Sequence, residues 1–162
     1  MSYPEPRYHG EGGEISAVLR PDAASADVRN MPSNDVHYLA TSASTHGDFG
    51  LYRWDFGPKQ SGPDPHFHRT ISESFFVLSG AVSLYDGDHW VDARAGDFLY
   101  VPQGGIHGFK NHSGKPAAML LLFTPGAPRE EYFETLAEVA HGRTLTDDER
   151  VELFLRHDNH WV

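Results

Sequence analysis

Between Val36 and Phe123 the chain is a succession of short strand-like runs, each closed by a turn signal. The runs are VHYLATSAS, GLYRWDF, ESFFVLSG, AVSLYDG, HWVDARAG, DFLYVPQGG, IHGFKNHSG and AAMLLLFTPG. Most are rich in β-branched and aromatic residues, which fit a pleated, half-buried surface, and Gly, Asp-Gly or Pro-Gly then reverses the chain. About eight strands at spacings of roughly 8 to 12 residues predict a mainly β fold, an antiparallel sandwich or barrel. In GLYRWDF, Tyr52, Trp54 and Phe56 share one face by the period-2 rule, and Arg53 and Asp55 share the other.

The flanks have a different texture. Residues 1–34 are rich in Gly, Pro, Ser and Asp and read as an arm laid over the domain. Its one strand-like run is EISAVLR, Glu14 to Arg20. After the β-region (35–125) comes a helical section with a tail (126–162), and no linker is long enough to separate domains. PREEYFETLAEVAHG begins at Pro128, carries acids in its first turn and stops at Gly142. Tyr132, Phe133, Leu136, Val139 and Ala140 form one apolar stripe on it. TDDERVELFLRHD opens with a capping box, Thr146 with Glu149. Two C-terminal helices packed on the outside of the β-domain are the expectation.

Composition narrows the chemistry. The formal net charge is −10 and no Lys/Arg block occurs, so a nucleic-acid partner and an anionic membrane surface are both disfavoured. There is no cysteine, so disulfides, thiolate metal sites and cysteine nucleophiles are excluded, and any metal must be held by nitrogen and oxygen. MSYPEPRYHGEGGE has no apolar core of a secretory signal, and no apolar stretch approaches the roughly 20 residues that span a bilayer. A cytoplasmic protein is the expectation.

The candidate ligands begin in PHFHRTISESFFVLSG, residues 65–80. On a strand His66 and His68 point the same way and can share a metal. Taken alone, such a pair reads first as two solvent-facing histidines near a turn. Glu73 lies five residues on, an odd offset that needs a bulge or bend before its side chain could return to the same place. A second segment, GDFLYVPQGGIHGFKN (96–111), has a turn glycine, an apolar strand and a Pro-Gly-Gly corner, then His107. His107 could there face inward with Phe109 and Asn111. The other eight histidines read as solvated or hydrogen-bonded residues of the arm, the turns and the tail.

Together these segments resemble the paired motifs of the cupin superfamily. In the first, G(X)5HXH(X)3,4E(X)6G, His66, His68, Glu73 and Gly80 match, while Gln60 stands where the opening glycine would be. In the second, G(X)5PXG(X)2H(X)3N, Gly96, Pro102, Gly104, His107 and Asn111 all match. The resemblance covers roughly residues 50–125 strongly and the flanks weakly. It implies a conical jelly-roll barrel (the double-stranded β-helix) with one metal at its wide end. Carried over, His66, His68, Glu73 and His107 would be its ligands. Three imidazoles and one carboxylate suit one divalent Fe, Mn, Co, Ni or Zn ion, with positions left open.

The residues that could line the cavity are Tyr52, Trp54, Phe75, Phe109 and Phe123, which suit a flat or apolar small molecule. Arg69 is the only base near the motif, which argues against phosphorylated sugars and polyanions. Among cupins the region is most similar to single-domain proteins of quercetin 2,3-dioxygenase type. That implies a dioxygenase that takes an enolic or phenolic aromatic substrate and O2, with Glu73 both ligand and proton acceptor. Two alternatives stay open: a non-oxidative cyclase or isomerase of a polyketide-like or aromatic compound, and a non-catalytic small-molecule-binding cupin. Small cupins often dimerise through their sheets, so a homodimer is expected.

Overall fold

The protein is represented by a computed structural model, which describes residues 2–31 and 33–162. The strands are β1 (Asn34–Ala40), β2 (Gly50–Phe56), β3 (His66–Phe67), β4 (Ser72–Ser79), β5 (Ala81–Tyr85), β6 (Trp90–Arg94), β7 (Phe98–Val101), β8 (Gly108–Lys110) and β9 (Ala117–Thr124). Two helices follow, α1 (Glu130–Ala140) and α2 (Asp147–Arg156), and then β10 (His160–Trp161). Every strand run between Val36 and Phe123 read from the sequence overlaps one of these strands.

One sheet has the order β1-β2-β9-β4-β7 and another β6-β5-β8, all antiparallel. Alternation does the sorting. Tyr52, Trp54 and Phe56 turn inward from β2, and Met119, Leu121 and Phe123 from β9. Registers bring them together: Tyr52 lies opposite Leu121 and Trp54 opposite Met119. The other face of β2 carries Arg53, whose Nε donates to Asp55 Oδ1 at 2.8 Å. Val77, Val82 and Leu84 bring β4 and β5 into the same core.

Turn chemistry explains a motif glycine. Gly80 has φ +71°, and a Cβ there would sit 2.7 Å from the Pro116 carbonyl oxygen, so a side chain is excluded twice over.

Two expectations need correction. EISAVLR forms no strand: it finds no sheet edge, and Ile15, Val18 and Leu19 stay exposed. The arm enters the core near its end, where Val28 bridges Val36 and Met31 is buried, and further out it meets the domain through ion pairs of Arg7 with Asp48 and of Asp22 with Arg53. The helices do not simply pack on the outside. The stripe of α1 turns onto the mouth of the barrel, so Tyr132, Phe133, Leu136, Val139 and Ala140 face a cavity there. An apolar stripe needs an apolar partner, and the mouth offers Trp54, Phe109 and Phe123. The tail takes part in the barrel as well: β10 pairs with β3, the strand that carries His66. The capping box of α2 forms as expected, Thr146 accepting from the Glu149 backbone and the Glu149 carboxylate from the Thr146 backbone.

Candidate metal centre

His66, His68, Glu73 and His107 are all buried, and one potential ligand atom from each lies within 4.8 Å of the others. Three pieces of backbone create this. His66 and His107 are direct antiparallel partners that exchange both backbone hydrogen bonds, 2.9 and 2.8 Å. Their rings sit side by side, centroids 4.4 Å apart. His68, two residues on, returns to the same face. The bend that Glu73 requires falls at Arg69–Thr70. It is held by Asp158, whose Oδ2 accepts from Arg69 N (2.9 Å), Thr70 N (2.7 Å) and Thr70 Oγ1 (2.7 Å). Beyond it, β4 sets Glu73 opposite Phe123 with its carboxylate among the imidazoles. The Gly104 corner is tied in as well: its N–H donates to the His68 carbonyl at 2.7 Å, at φ +80°.

The tautomers follow from the partners. Each Nδ1 faces a backbone carbonyl: His66 that of Asp64 (2.9 Å), His68 that of Asp158 (2.6 Å), His107 that of Gly105 (3.0 Å). A carbonyl oxygen only accepts, so each Nδ1 carries the proton and each neutral ring presents the Nε2 lone pair. Glu73 Oε2 lies 2.8 Å from His107 Nε2 and 3.2 Å from His68 Nε2. Lone pairs would then oppose a carboxylate, an arrangement that only a proton or a cation between them relieves. The pKa shifts express the same conflict. Burial would raise the Glu73 carboxyl, but His107 and His68 overcome it and hold it well below the usual carboxylate range. Burial pushes His66 down to about 3, helped by His107. Burial also opposes charge on His107, yet its bond to Glu73 raises it above the usual value. The donor set thus fits a divalent transition metal: three oriented nitrogens, one ionised oxygen and no soft ligand.

A cavity of about 470 Å³ opens beside this cluster, with His66 and Glu73 in its wall. Trp54, Phe109 and Phe123 line it, as the sequence reading expected. Tyr52 and Phe75 do not. Phe75 is fully buried behind the site, between His107 and Phe109 (centroids 5.8 and 5.7 Å). Tyr52 is also fully buried, and its hydroxyl donates to Glu130 Oε1 at 2.6 Å. Period-2 parity puts both on the inner face, but it does not say how far along the barrel axis each lies. Asn111, the last motif residue, holds a loop: its Nδ2 donates to the carbonyls of Gly57 (2.9 Å) and Lys115 (2.8 Å).

Residues 52–123 match the cupin domain family. This barrel is a cupin domain. Quercetin 2,3-dioxygenase of Bacillus subtilis is 27% identical over 136 residues, 82% of this chain and 35% of that enzyme. The chain spans half or less of the length of the curated relatives it matches. Among solved structures, a predicted oxalate decarboxylase from Thermotoga maritima superposes with a TM-score of 0.57 at 20% identity, over 66% of this chain and 97% of that one. Ectoine synthase from P. lautus does so with 0.55 at 13%, over 67% and 76%. At such identities these two establish the cupin fold and nothing of the reaction. Among the described residues, no helix is long and apolar enough to cross a membrane.

The sequence reading missed the polar part of this cavity. Arg129, Asn159 and Asn34 are all buried and all line it. Arg129 Nη1 donates to the His157 carbonyl (2.5 Å) and to Asn159 Oδ1 (2.9 Å). Its guanidinium lies over Tyr132, Phe123 and Phe133, 4.5, 5.2 and 5.7 Å from the ring centroids. Arg69 is thus not the only base near the centre. One signal was legible: Arg129 caps the N-terminus of α1, where the helix dipole disfavours a cation.

Proposed function

We propose that this cupin is a metal-dependent dioxygenase acting on an enolic or phenolic aromatic small molecule. His66, His68, Glu73 and His107 hold one divalent transition metal per chain. The observation that carries the reading is the convergence of three Nδ1-anchored imidazoles and one buried carboxylate at the wall of a largely apolar cavity. The bound metal supplies a Lewis acid for the substrate's oxygen and, for a redox-active ion, a route for electrons to O2. The protein does the rest. Trp54, Phe109 and Phe123 clasp the rings of a flat substrate, α1 and the tail exclude water, and Glu73 takes the enol or phenol proton at Oε2, within reach of two histidine nitrogens. Similarity to quercetin 2,3-dioxygenase over most of the chain supports the oxidative choice.

The test is oxygen uptake by protein reconstituted with Fe(II), Mn(II), Co(II) or Ni(II), offered flavonols and simpler enols. Consumption that depends on substrate and metal, and that His107→Ala abolishes, supports it. Substrate conversion that proceeds equally without oxygen, or metal-loaded protein inert to every enol, overturns it.

A further inference from the structure

Arg129 is a cation in the wall of the metal cavity with no anion of its own. Its side chain is almost wholly buried, 3% exposed. Among the described residues no carboxylate forms an ion pair with it. Among the described residues both of its hydrogen bonds leave from Nη1, while Nε is buried without a partner and Nη2 makes no hydrogen bond. Aromatic faces offset part of the desolvation, but a buried guanidinium ordinarily has a carboxylate or phosphate on its fork. Burial lowers its pKa without discharging it, because a guanidinium stays protonated at any pH where proteins fold. With a divalent metal, Glu73 and Arg129, the cavity carries a net positive charge.

We propose that Arg129 is a substrate-recognition residue and that the substrate carries an anionic group, a carboxylate, in addition to the oxygen that meets the metal. The proposal rests on the reading above that this cavity takes the substrate of a metal enzyme, and it narrows the class to enolic or phenolic acids. Arg129 and the ligand cluster border the same cavity and the same aromatic side chain. Phe123 adjoins both groups, its centroid 5.2 Å from the guanidinium carbon and 6.3 Å from the His68 ring. A ring bridging them would place its hydroxyl at the metal and its carboxylate on Nη2 of Arg129.

The test is calorimetric binding to zinc-loaded protein, which reports affinity without oxygen chemistry. The probes are 3- and 4-hydroxybenzoate beside their uncharged amides. In these acids the carboxylate and the hydroxyl cannot chelate one metal together. The native protein should prefer at least one acid over its amide by about tenfold or more. In Arg129→Met the preference should fall to within about twofold at unchanged zinc content. Arg129→Gln retains an amide donor for the tail and gives the same readout if Arg129→Met does not fold. An acid bound no better than its amide in both pairs, or a preference undiminished in either folded variant, overturns the proposal. Loss of oxygen uptake with intact acid selectivity would sink the dioxygenase reading and leave this one standing.

Discussion

His68 and Asp158, 90 residues apart, are joined by a 2.6 Å hydrogen bond from the imidazole Nδ1 to the backbone carbonyl. The bond orients the lone pair that His68 turns to the cluster, so the C-terminal tail is part of the candidate metal centre. The Asp158 side chain adds the three bonds that hold the Arg69–Thr70 bend.

That relationship predicts a stability effect with a definite pH window. Burial opposes ionisation of Asp158, but the bonds from Thr70 and Arg69 win and hold its carboxyl below the ordinary value of 3.8. A carboxyl depressed on folding stabilises the protein above its unfolded pKa, and the contribution fades as pH falls through the folded one. Asp158→Asn, which tolerates the positive φ of 56°, should therefore lower the Tm at pH 7. The gap to the native protein should shrink below pH 3.8. Melting curves across pH check both; a constant gap would contradict the assignment.

Metal loading should follow the ligand set. Elemental analysis of reconstituted protein should find about one metal per chain. His68→Ala or His107→Ala should lower affinity by about 100-fold or more, because each removes an oriented nitrogen from a site of four ligand residues. Retention of full stoichiometry at low micromolar metal in both variants would refute the centre.

Metal affinity should also depend on pH. The Glu73 contact raises His107 above the ordinary imidazole value of 6.5, although burial opposes it, so the metal-free protein holds a proton that the metal must displace. Apparent affinity should weaken by about tenfold per unit as pH falls below that raised value. Competition with a chelator from pH 8 to pH 6 measures the slope.

The role of α1 as a cavity wall can be tested apart from the metal. Leu136 lines the cavity and is not a ligand residue. Leu136→Trp should fill the space, raise the Kd for hydroxybenzoates by about tenfold or more, and leave metal content unchanged. Unaltered binding would place the ligand elsewhere.

Tyr52, expected from the sequence to touch substrate, should behave as a structural residue. Tyr52→Phe removes its bond to the Glu130 carboxylate and should cost about 1–2 kcal/mol of stability. Ligand affinity should stay within about twofold. Denaturant melts and calorimetry separate the two effects.

The strand pattern, the capping box of α2 and the four clustered residues were legible in the chain because each rests on short-range rules. Period-2 alternation placed Trp54, Phe109 and Phe123 inward, turn glycines marked the strand ends, and motif spacing picked His66, His68, Glu73 and His107 from eleven histidines and many acids. What those rules omit is position along the barrel axis and the destination of segments that leave it. Tyr52 and Trp54 have the same parity, yet only Trp54 reaches the cavity. EISAVLR has strand composition, yet a strand exists only where a second edge pairs with it. Arg129 drew no reading from the sequence, and its meaning came from Phe123 of β9 and the C-terminal tail, which the fold brings to it beside Tyr132 and Phe133 of its own helix.

The sequence by itself determined the donor chemistry: nitrogen and oxygen without sulfur, on a β-framework whose local propensities agree with its hydrophobic pattern. Tertiary structure alone decided the protonation and the charge of the site. The lone pairs of the three imidazoles are aimed by carbonyls of Asp64, Gly105 and Asp158, and a buried guanidinium faces the space beside them. Those properties depend on distance and desolvation, which arise only when remote segments share one low-dielectric volume.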